Sequence, residues 1–217
     1  MKHHLAIIFD LDGTLVDSLR DITDALNEAL TELNKPTVAR QEVRSWVGEG
    51  MPLLCRRALP AHSDSLVEEL VRRTKSRYLA HPVRCTRPYP NILTMLELLQ
   101  IEGVPMAVLS NKPHDLTVRI VAELGLAPYF AQAVGCQLEE EKKPLPTSAL
   151  RLARALGADP AAVFLVGDSA TDIETARNAG MCSVAVTWGF RDRDELIAAR
   201  PDHLIDDPLK ILPLLNN

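Results

Sequence analysis

The sequence predicts an α/β protein, a doubly wound parallel sheet carrying an inserted block of helices. Three observations lead there. Residues 5–9, Leu-Ala-Ile-Ile-Phe, form a continuous apolar run that ends on Asp10, the pattern of a strand buried on both faces. Beyond residue 86, short apolar runs alternate with amphipathic stretches that stop at glycines, as in a parallel sheet covered by helices. Between these parts, residues 16–86 carry helical periodicity and no clear strand. The expected organisation is a core of residues 1–15 and 87–217 with a helical cap at 16–86.

In chain order, Leu19, Ile22, Leu26, Leu30 and Leu33 recur at spacings of three and four, an amphipathic helix that Asn34-Lys35-Pro36 closes. A second helical stretch, 40–47, is interrupted by Gly48-Glu49-Gly50. Pro52 suits the first turn of a helix over 53–59. After a turn at 60–64, another helix buries Leu66, Leu70, Val71, Tyr78 and Leu79. The second half begins with a helix at 92–101, then a strand at 104–109 that reaches Ser110-Asn111-Lys112. A helix at 114–124 follows, then a short strand at 131–134, and after it the acidic run Glu139-Glu140-Glu141 and Lys142-Lys143-Pro144. A helix at 147–156 leads to a strand at 163–166 ending on Gly167-Asp168-Ser169. A helix at 172–179 and strands at 183–186 and 203–205 complete the pattern.

Composition bounds the function. Hydrophobic residues make up 47% and charged residues 24% of the 217, enough for a sizeable core. A net charge of −5 argues against a nucleic-acid partner, which calls for a basic face. The apolar run before Asp10 is too short for a signal peptide, and no stretch approaches the ~20 apolar residues of a membrane span. No membrane association is expected, and the location expected is cytoplasmic. Cys55, Cys85, Cys136 and Cys182 form no Cys-x-x-Cys pair and read as free thiols in a reducing compartment.

The candidate site lies where strands end. In near-extended backbone Asp10 and Asp12 leave the chain on the same side. Two carboxylates so close repel, and one takes up a proton unless a cation sits between them. In parallel sheets ligands bind outside the carboxyl ends of the strands. Ser110 and Asn111 follow one predicted strand, Asp168 and Asp172 another, and Lys143 lies in the connection before it. Several carboxylates at one rim suit a hard cation such as Mg²⁺, and a lysine and a hydroxyl beside it suit a phosphoryl group.

Simpler roles compete. Asp-x-Asp after a strand also fits a turn or a helix cap, and Asp168 with Asp172 fits a cap with a first-turn charge. Glu139 to Glu141 reads as an exposed charge run, Lys142 as solvated, Trp46 and Trp188 as packing residues, and His3 and His4 as surface residues. Gly48-Glu49-Gly50 lacks a third glycine and follows no strand, so it is not a dinucleotide fingerprint.

Taken together the motifs resemble the haloacid dehalogenase superfamily of phosphatases, in its phosphoglycolate phosphatase-like branch. Asp10-Leu11-Asp12-Gly13-Thr14-Leu15-Val16-Asp17-Ser18 looks like that family's first motif and Ser110-Asn111-Lys112 like its second. Lys143-Pro144-Leu145-Pro146 looks like the third, and Gly167-Asp168-Ser169 with Asp172 like the fourth. Val47-Gly48-Glu49-Gly50 and Arg56-Arg57-Ala58-Leu59 are similar to the cap pattern of the branch. Asn91, where glycine is usual, and Gly135-Cys136-Gln137, where the stretch often ends in aspartate, depart from it.

The resemblance implies a Rossmann-like core and a Mg²⁺-dependent phosphatase. It implies Asp10 as nucleophile and Asp12 as acid and base. Mg²⁺ would be held by Asp10, the Asp12 carbonyl and Asp168, with Asp172 orienting that shell or the lysine. Ser110, Asn111 and Lys143 would hold the phosphate. The implied substrate is a small phosphorylated metabolite, 2-phosphoglycolate foremost, met by a monomer or homodimer. A phosphomutase, pyrophosphatase or nucleotidase would share the same centre, whereas a non-catalytic module would be expected to have lost Asp10, Asp12 or Lys143. Residues 16–86 hold 11 Lys and Arg against 10 Asp and Glu, a net of +1 over a core of −6, compatible with a second anionic group on the substrate. Glu49, Arg56 and Arg57 are the cap residues expected to meet it.

Overall fold

The computed structural model describes residues 5–216, so His3 and His4 lie outside it. Strand β1 (Ala6–Phe9) is buried along its whole length. Strand β2 (Val16–Asp17) leads into the helices α1 (Leu19–Glu32), α2 (Arg40–Trp46), α3 (Met51–Ala58) and α4 (Asp64–Ala80). Strand β3 (Arg87–Pro88) then pairs antiparallel with β2, Val16 opposite Pro88. The chain therefore leaves and re-enters the core through one two-stranded ribbon. Residues 16–86 were expected to hold no strand; β2 is too short for its period of two to register in a sequence.

The rest runs α5 (Ile92–Ile101), β4 (Met106–Pro113), α6 (His114–Glu123), β5 (Gln132–Cys136) and α7 (Thr147–Ala155). It continues with β6 (Val163–Gly167), α8 (Ala170–Ala179), β7 (Cys182–Val186), α9 (Arg193–Ala198) and β8 (His203–Ile205). Among the described residues, six strands form one sheet in the order β5-β4-β1-β6-β7-β8, every neighbouring pair parallel. This is the Rossmann-like doubly wound sheet expected. The order reverses on either side of β1, the place where such sheets open a crevice for ligands. Helix α9 and the 3₁₀ segment Pro208–Asn216 were not foreseen.

Period-two alternation divides the core. Ile7 and Phe9 face one side with Val108, Leu26, Leu30 and Met95, and this cluster runs without a break into Leu54, Leu70 and Tyr78 of the inserted helices. Ala6 and Ile8 face the other side, among Leu109, Leu152 and Leu165. The insertion is thus packed onto the same apolar body as the sheet. Asp21 on α1, buried, fastens it further: its carboxylate accepts from the backbone of Cys85 (2.9 Å) and from the backbone and hydroxyl of Thr86 (2.7 and 2.6 Å).

Two sequence departures find physical reasons. Asn91 adopts φ +65°, a left-handed conformation that asparagine tolerates, and its amide donates to Asp207 at 2.9 Å. At Gly135 a Cβ would stand 2.5 Å from the Lys112 carbonyl, so only glycine lets β5 run on beside β4. Strand β4 itself continues past Leu109, through a register irregularity, to Pro113. Among the described residues no helix is long and apolar enough to cross a membrane.

Candidate active site

The carboxyl ends of β1, β4 and β6 bring the motif residues to one cavity, whose wall includes Asp10, Asp12, Ser110, Asn111, Lys143, Asp168 and Asp172. Asp10 sits directly after β1, and its backbone N–H donates to the Val166 carbonyl at 2.8 Å, extending the pairing of β1 with β6. Oxygens of Asp10, Asp168 and Asp172 approach within 4.8 Å of one another, all three side chains buried. One cation answers them directly: Lys143 Nζ donates to Asp10 Oδ1 at 2.7 Å and to Asp172 Oδ1 at 2.6 Å. Lys143, and not its neighbour Lys142, is thereby the lysine of the site. Lys142 is not fully solvated, however; its side chain is 20% exposed and lies 3.5 Å from Glu139.

Electrostatics follow from this crowding. Burial pushes Asp10 up to about 7 against the pull of Lys143, and Asp172 and Asp12 add to the rise. Burial, then the charges of Asp10 and Asp172, hold Asp168 well above the carboxylate range. Burial would lower Lys143, but Asp10 and Asp172 outweigh it and raise the lysine above its ordinary value. Three buried carboxylates facing one ammonium leave negative charge uncompensated, and their hard oxygen donors fit a divalent cation. Asp172 spends Oδ1 on Lys143 and Oδ2 on the Ser169 hydroxyl (2.6 Å) and backbone (3.2 Å). It therefore orients the lysine and caps α8 at once, and Asp10 and Asp168 are the pair best placed to offer oxygens to a cation. Asp168 is itself gripped: the Phe190 N–H donates to it at 2.7 Å, and a Cβ at either Gly13 or Gly189 would run into its carboxylate.

Asp12 stands apart from that cluster. The Ser18 hydroxyl donates to it at 2.5 Å and Lys112 Nζ at 2.8 and 3.0 Å. Asn111 turns out to be a strut. Its amide nitrogen donates to the carbonyls of Gly48 and Lys143, both at 3.0 Å, and its oxygen accepts from the Lys143 N–H at 2.8 Å, so its side chain is spent on backbone. Trp188 packs as expected, its indole N–H on the Thr14 carbonyl at 3.0 Å.

The insertion contributes Val47, Gly48, Gly50, Met51, Leu54 and Tyr78 to the cavity wall, and Glu49, Arg56 and Arg57 are not part of it. Arg57 donates to the Trp46 carbonyl at 3.2 Å and pairs with Glu49 at 2.5 Å; Arg56 donates to the His62 carbonyl at 2.9 Å and pairs with Asp64. Both arginines brace the loops around α3 instead of facing the cavity. Three side chains were missed. Lys112 directly follows Ser110-Asn111, and all three line the cavity where the register of β4 is irregular. Tyr78 reads in sequence only as an apolar helix residue. Arg191 had no pattern around it, yet it donates to the carbonyls of Arg44 (2.8 Å) and Val47 (2.6 Å), tying the core to the end of α2.

The fold and the site define a haloacid dehalogenase-like hydrolase: that family model matches residues 7–186, and the chain belongs to the family. It is 37% identical over 211 residues to the phosphoglycolate phosphatase of Aquifex aeolicus, covering 97% of this chain and 96% of that one. It is 38% identical over 213 residues to the phosphoglycolate phosphatase of Neisseria meningitidis, covering 94% and 91%. A crystal structure described as a predicted phosphoglycolate phosphatase from Haemophilus somnus matches with a TM-score of 0.91 at 32% identity over 99% of both chains. Family and relatives together make the protein a phosphatase.

Proposed function

We propose that the protein is a Mg²⁺-dependent phosphomonoester hydrolase working through an aspartyl-phosphate intermediate, with 2-phosphoglycolate or a similarly small ester as substrate. The observation that carries this is the buried Asp10 carboxylate in the cavity wall, held by Lys143 beside Asp168. The relatives' names support the substrate.

Asp10, through the oxygen that Lys143 leaves free, attacks phosphorus, and the ester oxygen departs with a proton from Asp12. Asp12 then takes a proton from water as that water attacks the aspartyl phosphate, releasing phosphate and restoring Asp10. Ser110 and Lys143 hold the phosphoryl oxygens as charge shifts among them. Asp10, Asp168 and the Asp12 carbonyl would hold a Mg²⁺ ion, which would supply positive charge to offset carboxylate–phosphate repulsion. The inserted helices act as a cap that keeps bulk water away while the phosphoryl group passes to Asp10. All of these residues belong to one chain, so a monomer or a homodimer suffices. Free cysteines suit the reducing cytoplasm.

The test is phosphate release from a panel of small esters with Mg²⁺, alongside Asp10→Asn. Turnover of 2-phosphoglycolate in the wild type and its loss in the variant are expected. Full turnover by Asp10→Asn would overturn the covalent route, and faster release from another ester would reassign the substrate.

A further inference from the structure

Lys112 is a buried ammonium that the proposed mechanism does not use. It extends from the end of β4 and reaches both oxygens of Asp12 at 2.8 and 3.0 Å. Its remaining contact is with the insertion: Nζ lies 2.9 Å from the Tyr78 hydroxyl and 4.3 Å from the centre of the Tyr78 ring. Tyr78 belongs to α4, is 2% exposed and packs into the shared apolar cluster. Three donors of one ammonium thus meet two carboxylate oxygens and one phenol, which leaves Asp12 little freedom to turn. The three groups come from separated parts of the chain, and one of them from the inserted helices. A surface ion pair would need none of this. A buried pair must offset the desolvation of both charges, and it does so best when each remaining donor is also satisfied, as Tyr78 satisfies this one.

We propose that Lys112 and Tyr78 are positioning residues that fix the Asp12 carboxylate, and that Tyr78 makes its placement depend on α4 lying against the core. The inference rests on the reading of Asp12 as the acid–base group. In that reading the ester oxygen needs a proton as it leaves, so a misplaced Asp12 slows substrates with alkoxide leaving groups. Acyl phosphates expel a carboxylate, which needs no such proton, and their transfer to Asp10 is insensitive to Asp12.

The experiment compares kcat/KM, which reports steps through phosphoenzyme formation, for an alkyl phosphate that the wild type hydrolyses (2-phosphoglycolate first) and for acetyl phosphate. Tyr78→Phe removes one oxygen and keeps the ring in its packing. It is expected to lower kcat/KM for the alkyl ester roughly tenfold, the worth of a hydrogen bond to a charged group, with acetyl phosphate within about twofold of the wild type. Lys112→Gln and Asp12→Asn should show the same bias, larger. Equal losses on both substrates, or none on the alkyl ester, overturn the positioning role. If Asp12→Asn itself shows no bias, the acid–base reading falls and this inference with it. A bias in Asp12→Asn that is absent from Tyr78→Phe overturns the inference alone.

Discussion

Replacing Lys143 by Met removes the ammonium from between Asp10 and Asp172 and leaves a side chain of similar volume. Both ion pairs are buried, the three side chains being 4%, 9% and 2% exposed. Breaking a buried pair from one side costs about 3–5 kcal/mol, because the other charge stays desolvated. In a chain of this size 1 kcal/mol moves Tm by about 2–4 °C, so a fall of roughly 6–20 °C is expected at pH 8 in EDTA. The sign of the pH effect is fixed by Asp10 and Asp168, both raised chiefly by burial, Asp10 to about 7. Their proton affinity is higher folded than unfolded, so the folded state holds more protons between about pH 4 and 7, and stability falls as pH rises through that window. Without the lysine that affinity rises further, so the deficit of Lys143→Met is smaller at pH 5 than at pH 8. Added Mg²⁺ should shrink it at pH 8 by replacing the lost positive charge. Differential scanning calorimetry at both pH values decides the matter. A Tm within about 2 °C of wild type at pH 8 in EDTA, or a deficit equal at pH 5, refutes the electrostatic reading.

Two further expectations are independent of catalysis. Asp21→Ala strips partners from the half-buried N–H of Cys85 and the buried N–H and hydroxyl of Thr86, so urea unfolding should show a loss of about 3 kcal/mol with an unchanged m-value, and a loss below about 0.5 kcal/mol would contradict it. Burial pushes the Cys55 thiol up to about 12, so at pH 8 it stays protonated and inaccessible. Mass spectrometry after brief exposure to a thiol reagent should find Cys55 labelled only in denatured protein, and labelling in the native state at the rate of Cys85 would count against the packing of α3 on α4.

Much of the centre was legible because it sits at strand ends, where an apolar run breaks on a charge: Asp10 after β1 and Asp168 after β6 are of this kind. Lys143 was separable from Lys142 because it opens the Lys143-Pro144-Leu145-Pro146 stretch that resembles the family's third motif. The far end of β4 was not legible. Ser110-Asn111-Lys112 reads as a polar loop, yet it is strand with an irregular register, which brings all three residues to the cavity. Asn111 illustrates the limit of residue type as a guide, since an amide suited to phosphate is spent on two carbonyls. Arg56 and Arg57 failed for a related reason: charge suggests a ligand, while local carbonyls and acids decide where a guanidinium points. Helix α9 and the segment after β8 are short and lack a sustained period, so nothing in their spacing announced them.

The ribbon of β2 and β3 has a consequence for how this chain can change. Because Val16 lies opposite Pro88, the two points at which the helices depart and return are neighbours, and the sheet order on either side is indifferent to the length of chain between them. Loop-closure entropy grows only slowly with that length. The helices between these two points can therefore change in length without disturbing the strand order, provided that the contacts of Gly48, Val47 and Tyr78 with the core are kept.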